Sequence, residues 1–149
     1  MDRNKNYTLS KWLERYDRKL YNAMEDSGTL SLLRPERGSN GITLLYPSDK
    51  VLKKKIISLL GWNDIEGIRI LQTMIIVDNL QNTQDWHTKK DDIPNRLGLK
   101  LEIISVDNNS VKLSNGAMLK SIYPKSKENK GNISVWDYIG KDPPSKEGK

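Results

Sequence analysis

The 149-residue chain has no cysteine and a single histidine, His87. Thiol nucleophiles, thiolate metal centres and disulfides are therefore excluded, and so are metal sites built on paired imidazoles. A Gly-Lys-Ser/Thr phosphate loop is missing as well. Catalysis is left only a serine–histidine–carboxylate arrangement or carboxylates alone. The composition thus points to a protein that binds without catalysing, with no cofactor, metal or catalytic residue expected. Long apolar runs are also absent. The longest, Met74 to Val77, is far short of the roughly 20 residues needed to span a bilayer. The opening Met-Asp-Arg-Asn-Lys-Asn has none of the apolar character of a signal peptide. The expectation is a soluble, cytoplasmic protein without membrane contact.

Charge is plentiful and unevenly spread. Of 25 basic and 19 acidic residues, residues 1–63 hold 12 and 7, residues 64–98 hold 4 and 6, and residues 99–149 hold 9 and 6. Two basic flanks thus bracket a mildly acidic middle, a pattern that steers a polyanion or an acidic protein patch toward the flanks.

Periodicity gives the elements. Leu9, Trp12, Leu13, Tyr16, Leu20, Ala23 and Met24 form one helical stripe within 8–27, with Thr8 as cap and Gly28 as terminator. Ile42 to Tyr46 reads as a buried strand stopped by Pro47. Ser48 then caps a second helix, residues 49–60, that Gly61 ends. A third helix is expected over 64–80, with Asn63 and Glu66 as a capping box. Its β-branched stretch Met74-Ile75-Ile76-Val77 also suits a strand, but the apolar pattern continues to Leu80 without a turn signal. Residues 82–97, with Pro94, read as a loop holding at most one helical turn.

The last third alternates as strands: 99–106, 111–114, 117–123 and 133–139. Asp107-Asn108-Asn109 turns the first pair, and Asn115-Gly116 is the dipeptide favoured by a type I′ hairpin turn. The fold class that follows is α+β: N-terminal helices with a short strand, then a C-terminal antiparallel β-meander. One compact domain over 1–140 is expected, with a helical part at 8–80, a β part at 99–139, and a disordered tail at 141–149.

Lys125, Lys127 and Lys130 share one loop before Trp136 and Tyr138, which alternate onto one face of their strand. Lysines beside exposed rings suit single-stranded nucleic acid, the cations neutralising phosphates and the rings stacking on bases. The same rings would equally make a core face, with Ile133, Val135 and Ile139 on the other side, and the pattern leaves that choice open. Lys53 and Lys54, with Lys50 and Lys55, add a second cationic group. The second and third helices, joined by Gly61-Trp62-Asn63, have the order of a helix-turn-helix. However, Asp64 and Glu66 would meet phosphates with like charge, so an ordinary tight helical connection is the better reading. His87, among Asp85, Asp91 and Asp92, reads as a solvated residue. The functional expectation is a small, basic, non-enzymatic protein that binds nucleic acid mainly through phosphate contacts. The alternative is an interaction module (adaptor, inhibitor or structural subunit) for an acidic protein partner.

Overall fold

The apolar stripe from Leu9 to Met24 folds as two helices. In the computed structural model, which describes residues 8–124 and 132–144, α1 (Leu9–Tyr16) and α2 (Arg18–Ser27) part at Asp17. The Asp17 backbone leaves the helical region at φ −147 and ψ 89, while its carboxylate accepts from Leu20 N and caps α2. Thr8 caps α1 by accepting from Lys11 N, and Gly28 closes α2 at φ 76. A 3-10 turn at Leu30–Leu33 leads to β1 (Ile42–Pro47), α3 (Lys50–Gly61) and α4 (Ile65–Thr73). Next come β2 (Ile75–Ile76) and α5 (Thr83–Lys89), then β3 (Ile103–Val106), β4 (Ser110–Leu113), β5 (Met118–Tyr123) and β6 (Ile133–Ile139).

Several local expectations are corrected by tertiary contacts. Asp49, not Ser48, caps α3 by accepting from Val51 N and Leu52 N. Ser48 instead donates its hydroxyl to Tyr138 O. Asp64, not Asn63, caps α4, and Asn63 takes the left-handed conformation at φ 55. The third helix stops at Thr73 because Ile75 and Ile76 pair with Leu44 and Thr43, so strand pairing claims the β-branched run. Residues 83–89 form a seven-residue helix where a loop with at most one helical turn was expected. The Asn82 side chain caps it, and Trp86 anchors it by complete burial.

The fold is α+β, but its sheet is mixed and curled, and α5 lies between strands in the chain. The order is β2-β1-β6-β5-β4-β3. Strands β3 to β6 are consecutive and antiparallel. The sheet then continues into the N-terminal half: β1 lies parallel to β6, from Ile42 opposite Ile133 to Pro47 opposite Tyr138, and β2 closes that side antiparallel to β1. Both strands of the parallel pair are buried on both faces, from Ile42 to Pro47 and from Ile133 to Trp136. This is the normal condition of parallel strands, which must be covered on each side. One cover is fastened by polar contacts. Thr43 Oγ1 donates to Asp78 O and accepts from Leu80 N, Ser134 donates to Asn79 Oδ1, and the Trp136 indole donates to Leu80 O. Residues 78–80 are thereby pinned across β1 and β6.

The β4–β5 turn differs from the type I′ form. Only Gly116 has positive φ (92), while Asn115 does not. Gly116 N donates to Leu113 O, and Leu113 N to Ala117 O, the three-residue hairpin built from a type I turn and a left-handed glycine. The Asn115 side chain donates to Tyr138 Oη and to Pro143 O, and Tyr138 donates to Asp142 O. Residues 142 and 143, at the start of the expected tail, are thus tied to the sheet; residues 145–149 lie outside the described residues.

Two glycines near the α3–α4 corner make opposite predictions. A Cβ at Gly67 would stand 2.9 Å from Leu59 Cβ and 3.1 Å from Leu60 N, whereas one at Gly61 would meet nothing within 4 Å. Gly67→Ala is expected to lose roughly 1–3 kcal/mol to overpacking, and Gly61→Ala to gain about 0.4–1 kcal/mol by narrowing the unfolded ensemble. Urea titration of both variants checks this, and equal midpoints would show that α3 and α4 do not approach as described. Gly116→Val should cost about 1–2 kcal/mol through left-handed strain alone, because the space around it is open. An unchanged melting temperature would place the turn elsewhere.

Candidate functional site

Of the residues expected to bind nucleic acid, Trp136, Tyr138, Lys53 and Lys54 lie among the described residues. Trp136 and Tyr138 are buried (1% and 0% exposed) and offer no face for a base. Trp136 packs edge-on against Trp86 at 5.6 Å, and Tyr138 lies under the hairpin tip, where burial pushes its phenol up to about 12 even though the Asn115 bond pulls the other way. The burial has a physical cause: β1 pairs with the edge of β6, while the face that carries the two rings is covered, Trp136 by Trp86 of α5 and Leu80, and Tyr138 by the Asn115 hairpin and Asp142. Lys125, Lys127 and Lys130 lie outside the described residues. Lys53 is spent inside the protein, and Lys54 is exposed, as are Lys50 and Lys55.

Lys53 belongs to a small, partly buried network joining α2, β1 and α3. Its ammonium lies 2.9 Å from Asp17 Oδ2 and donates to Tyr46 Oη at 2.6 Å, while the Tyr46 hydroxyl donates to Asp17 Oδ2 at 2.5 Å. Trp12 and Tyr16 stack at 4.5 Å, and both meet the Tyr46 ring edge-on. Burial works against the Asp17 charge, but the bonds from Tyr46, Lys53 and Leu20 N outweigh it and hold the carboxyl below its usual range. Burial and the neighbouring Asp17 hold the Tyr46 phenol far above its own. This network is a joint. It ties the first turn of α2 to the first turn of α3.

α2 and α3 leave a groove between them that runs along α2 from Lys19 to Asp26 and along the C-terminal half of α3. It has a volume of about 510 Å³, with Lys19, Ala23 and Asp26 contributed by α2 and Ile57, Leu60 and Gly61 by α3. Just past it the chain turns tightly into α4. Gly67 permits the approach, Asn63 takes the left-handed conformation, and Trp62 is thrown outward with 75% of its surface exposed. Ile65 is 63% exposed beside it, and Val51 is 62% exposed at the other end of α3. Between them run Lys54, Lys55 and Ser58, one stripe by helical spacing. Sequence reasoning noticed Gly61-Trp62-Asn63 only as a helix connection. The available signal was a large aromatic residue held between two turn formers, where no core stripe continues.

His87 is exposed on α5 and shares a cleft of about 140 Å³ with Thr83 and Asp107. The Asp107 carboxylate is already engaged by Asn109 N, Ser110 N and the Ser110 hydroxyl, which lower its pKa. A triad needs histidine between serine and carboxylate; here Ser110 bonds to the carboxylate directly. Among the described residues, no group of three or more His, Asp or Glu side chains is placed to hold a metal ion, and no helix is long and apolar enough to cross a membrane.

Comparison with known proteins adds little. No protein-family model and no curated protein matches the chain. Among solved structures, an FAS1 domain pair from the insect cell adhesion molecule Fasciclin I aligns with 83% of this chain at 18% identity and a TM-score of 0.49. The match covers 44% of that chain, less than half its length. A likeness this slight carries no argument about function.

The Asp17 joint predicts a pH signature. Its folded pKa is depressed, so its stabilising contribution is present above the unfolded value of about 3.9 and lost as pH falls through the folded value. Asp17→Asn should therefore lower stability at pH 7, and the deficit should shrink at acid pH, below about 4. Urea unfolding at several pH values reads this directly. No deficit at any pH would mean that capping, which Asn provides as well as Asp, and not charge, is the role of Asp17.

Proposed function

We propose that this protein is a non-enzymatic interaction module that docks an acidic protein partner on the outer face of α3 and the α3–α4 corner. The observation that carries the reading is Trp62, 75% exposed on a turn fixed by the Asp64 cap, the left-handed Asn63 and the close Gly67 contact. A tryptophan costs solubility when left in water, and it is a residue type enriched among interface anchors. Ile65 and Val51 extend the apolar surface, and Lys50, Lys54 and Lys55 supply the positive charge that steers an acidic partner toward it.

Nucleic-acid binding through phosphate contacts draws on the same three lysines. Less supports it, since Asp64 and Glu66 flank Trp62 and would repel a backbone tracking past that ring. Capture from the native cell with wild-type protein and with Trp62→Ser, each with and without nuclease, separates the two. The expected result is a stoichiometric protein partner that survives nuclease and is lost with Trp62→Ser, a variant that should fold within about 0.5 kcal/mol of wild type. Nuclease-sensitive capture, together with oligonucleotide affinity that falls steeply with salt, would replace this reading with the nucleic-acid one.

A further inference from the structure

We infer that the α2–α3 groove receives an amphipathic helix of the partner, seating an apolar side chain over Ala23, Ile57 and Gly61 and directing carboxylates to Lys50 and Lys54. The inference rests on the protein-binding reading and specifies its mode. Shape is the first argument. The Asp17–Lys53 contact ties the N-terminal ends of α2 and α3, while Ala23 and Asp26 face Ile57 and Gly61 at the other ends, so the groove runs between two helices of common direction. A third helix laid along such a pair meets both at ordinary helix-packing distances of about 8–10 Å. The small side of each wall, Ala23 and Gly61, leaves the space that a partner's side chain fills, and a Cβ at Gly61 would touch nothing.

Backbone chemistry selects a helix over a strand. Both walls are helices whose central peptide groups are bonded internally, so an extended peptide would find no ladder to join, whereas a helix brings its own hydrogen bonds with it. Charge selects an acidic helix. Following α3 back from Ile57 at helical spacing leads to Lys54 and Lys50, both exposed, and Lys19 stands on the opposite wall. Lys53 on the same side is already matched by Asp17. Lys19, Lys50 and Lys54, which pair with no carboxylate among the described residues, are therefore the cations a partner's carboxylates complement, while Asp26 marks the other end.

The test uses the full chain and two synthetic stapled helices of about 14 residues, long enough to cover α3 at 1.5 Å per residue. Each carries leucines at i, i+4 and i+7, one flanked by glutamates and the other by lysines. Backbone amide shifts locate the binding. The acidic peptide should move the amides of Ala23, Ile57 and Gly61 and bind about tenfold tighter than the lysine peptide. Ala23→Trp should abolish its binding, with Gly61→Leu as a second plug should the first variant unfold. Lys50→Glu with Lys54→Glu should invert the preference between the peptides. Equal binding of both peptides, or shifts centred away from the groove, would overturn the inference. If neither peptide binds while Trp62-dependent capture persists, the helical mode falls and the interaction-module reading stands. If capture does not depend on Trp62 but the groove still selects the acidic peptide, the Trp62 anchor falls and the groove stands.

Discussion

The parallel pairing of β1 with β6 is the constraint on which the rest of the molecule depends. It joins residues about 90 positions apart and sets six residues of each strand in register. No local signal announces it, and its formation must overcome the closure entropy of everything between. Once formed, it requires cover on both faces. The Thr43, Ser134 and Trp136 contacts fasten residues 78–80 across it, and Trp12 and Tyr16 meet Tyr46 from α1.

The helical layer inherits its geometry from that cover. Tyr46, fixed on β1, gathers Asp17 and Lys53 and so ties the first turn of α3 to that of α2. Such a partly buried ion pair contributes little net stability beyond what its desolvation costs, and its effect is better described as choosing one arrangement among several. The open groove and the outward Trp62 are consequences of that arrangement together with the close approach at Gly67. The interaction surface we propose is thus positioned by rigid elements and not by a mobile loop, which lowers the entropy lost on docking.

Much of the local structure was legible. The helical stripe from Leu9 to Met24, though it is two helices parted at Asp17 and not the one expected, the Thr8 cap, the Gly28 terminator and the hairpin at Asn115-Gly116 all follow from backbone preferences and apolar spacing that need no partner. Even the misplacements were small where they were local: Asp49 caps in place of Ser48, and the hairpin uses one left-handed residue in place of two. The candidate site was harder to read. Trp136 and Tyr138 sit on a strand whose two faces look alike in sequence, and Trp62 lies in a connection where periodicity gives no instruction.

By itself the sequence determined what depends on each residue and its near neighbours: the absence of thiol chemistry, the basic balance, the positions of most helices and strands, and the α+β class. The tertiary structure decided which strands became neighbours, and with that the fate of the rings. Ile75 and Ile76 joined β1 because an open strand edge offered hydrogen bonds that a helix end did not. Trp136 and Tyr138 went inside because Trp86, Leu80 and the Asn115 hairpin cover the face of β6 that carries them, and Trp62 went outside on a turn shaped by the left-handed Asn63 and the close approach of α4 to α3 at Gly67. Burial is a property of two surfaces meeting, and a one-dimensional pattern specifies only one of them.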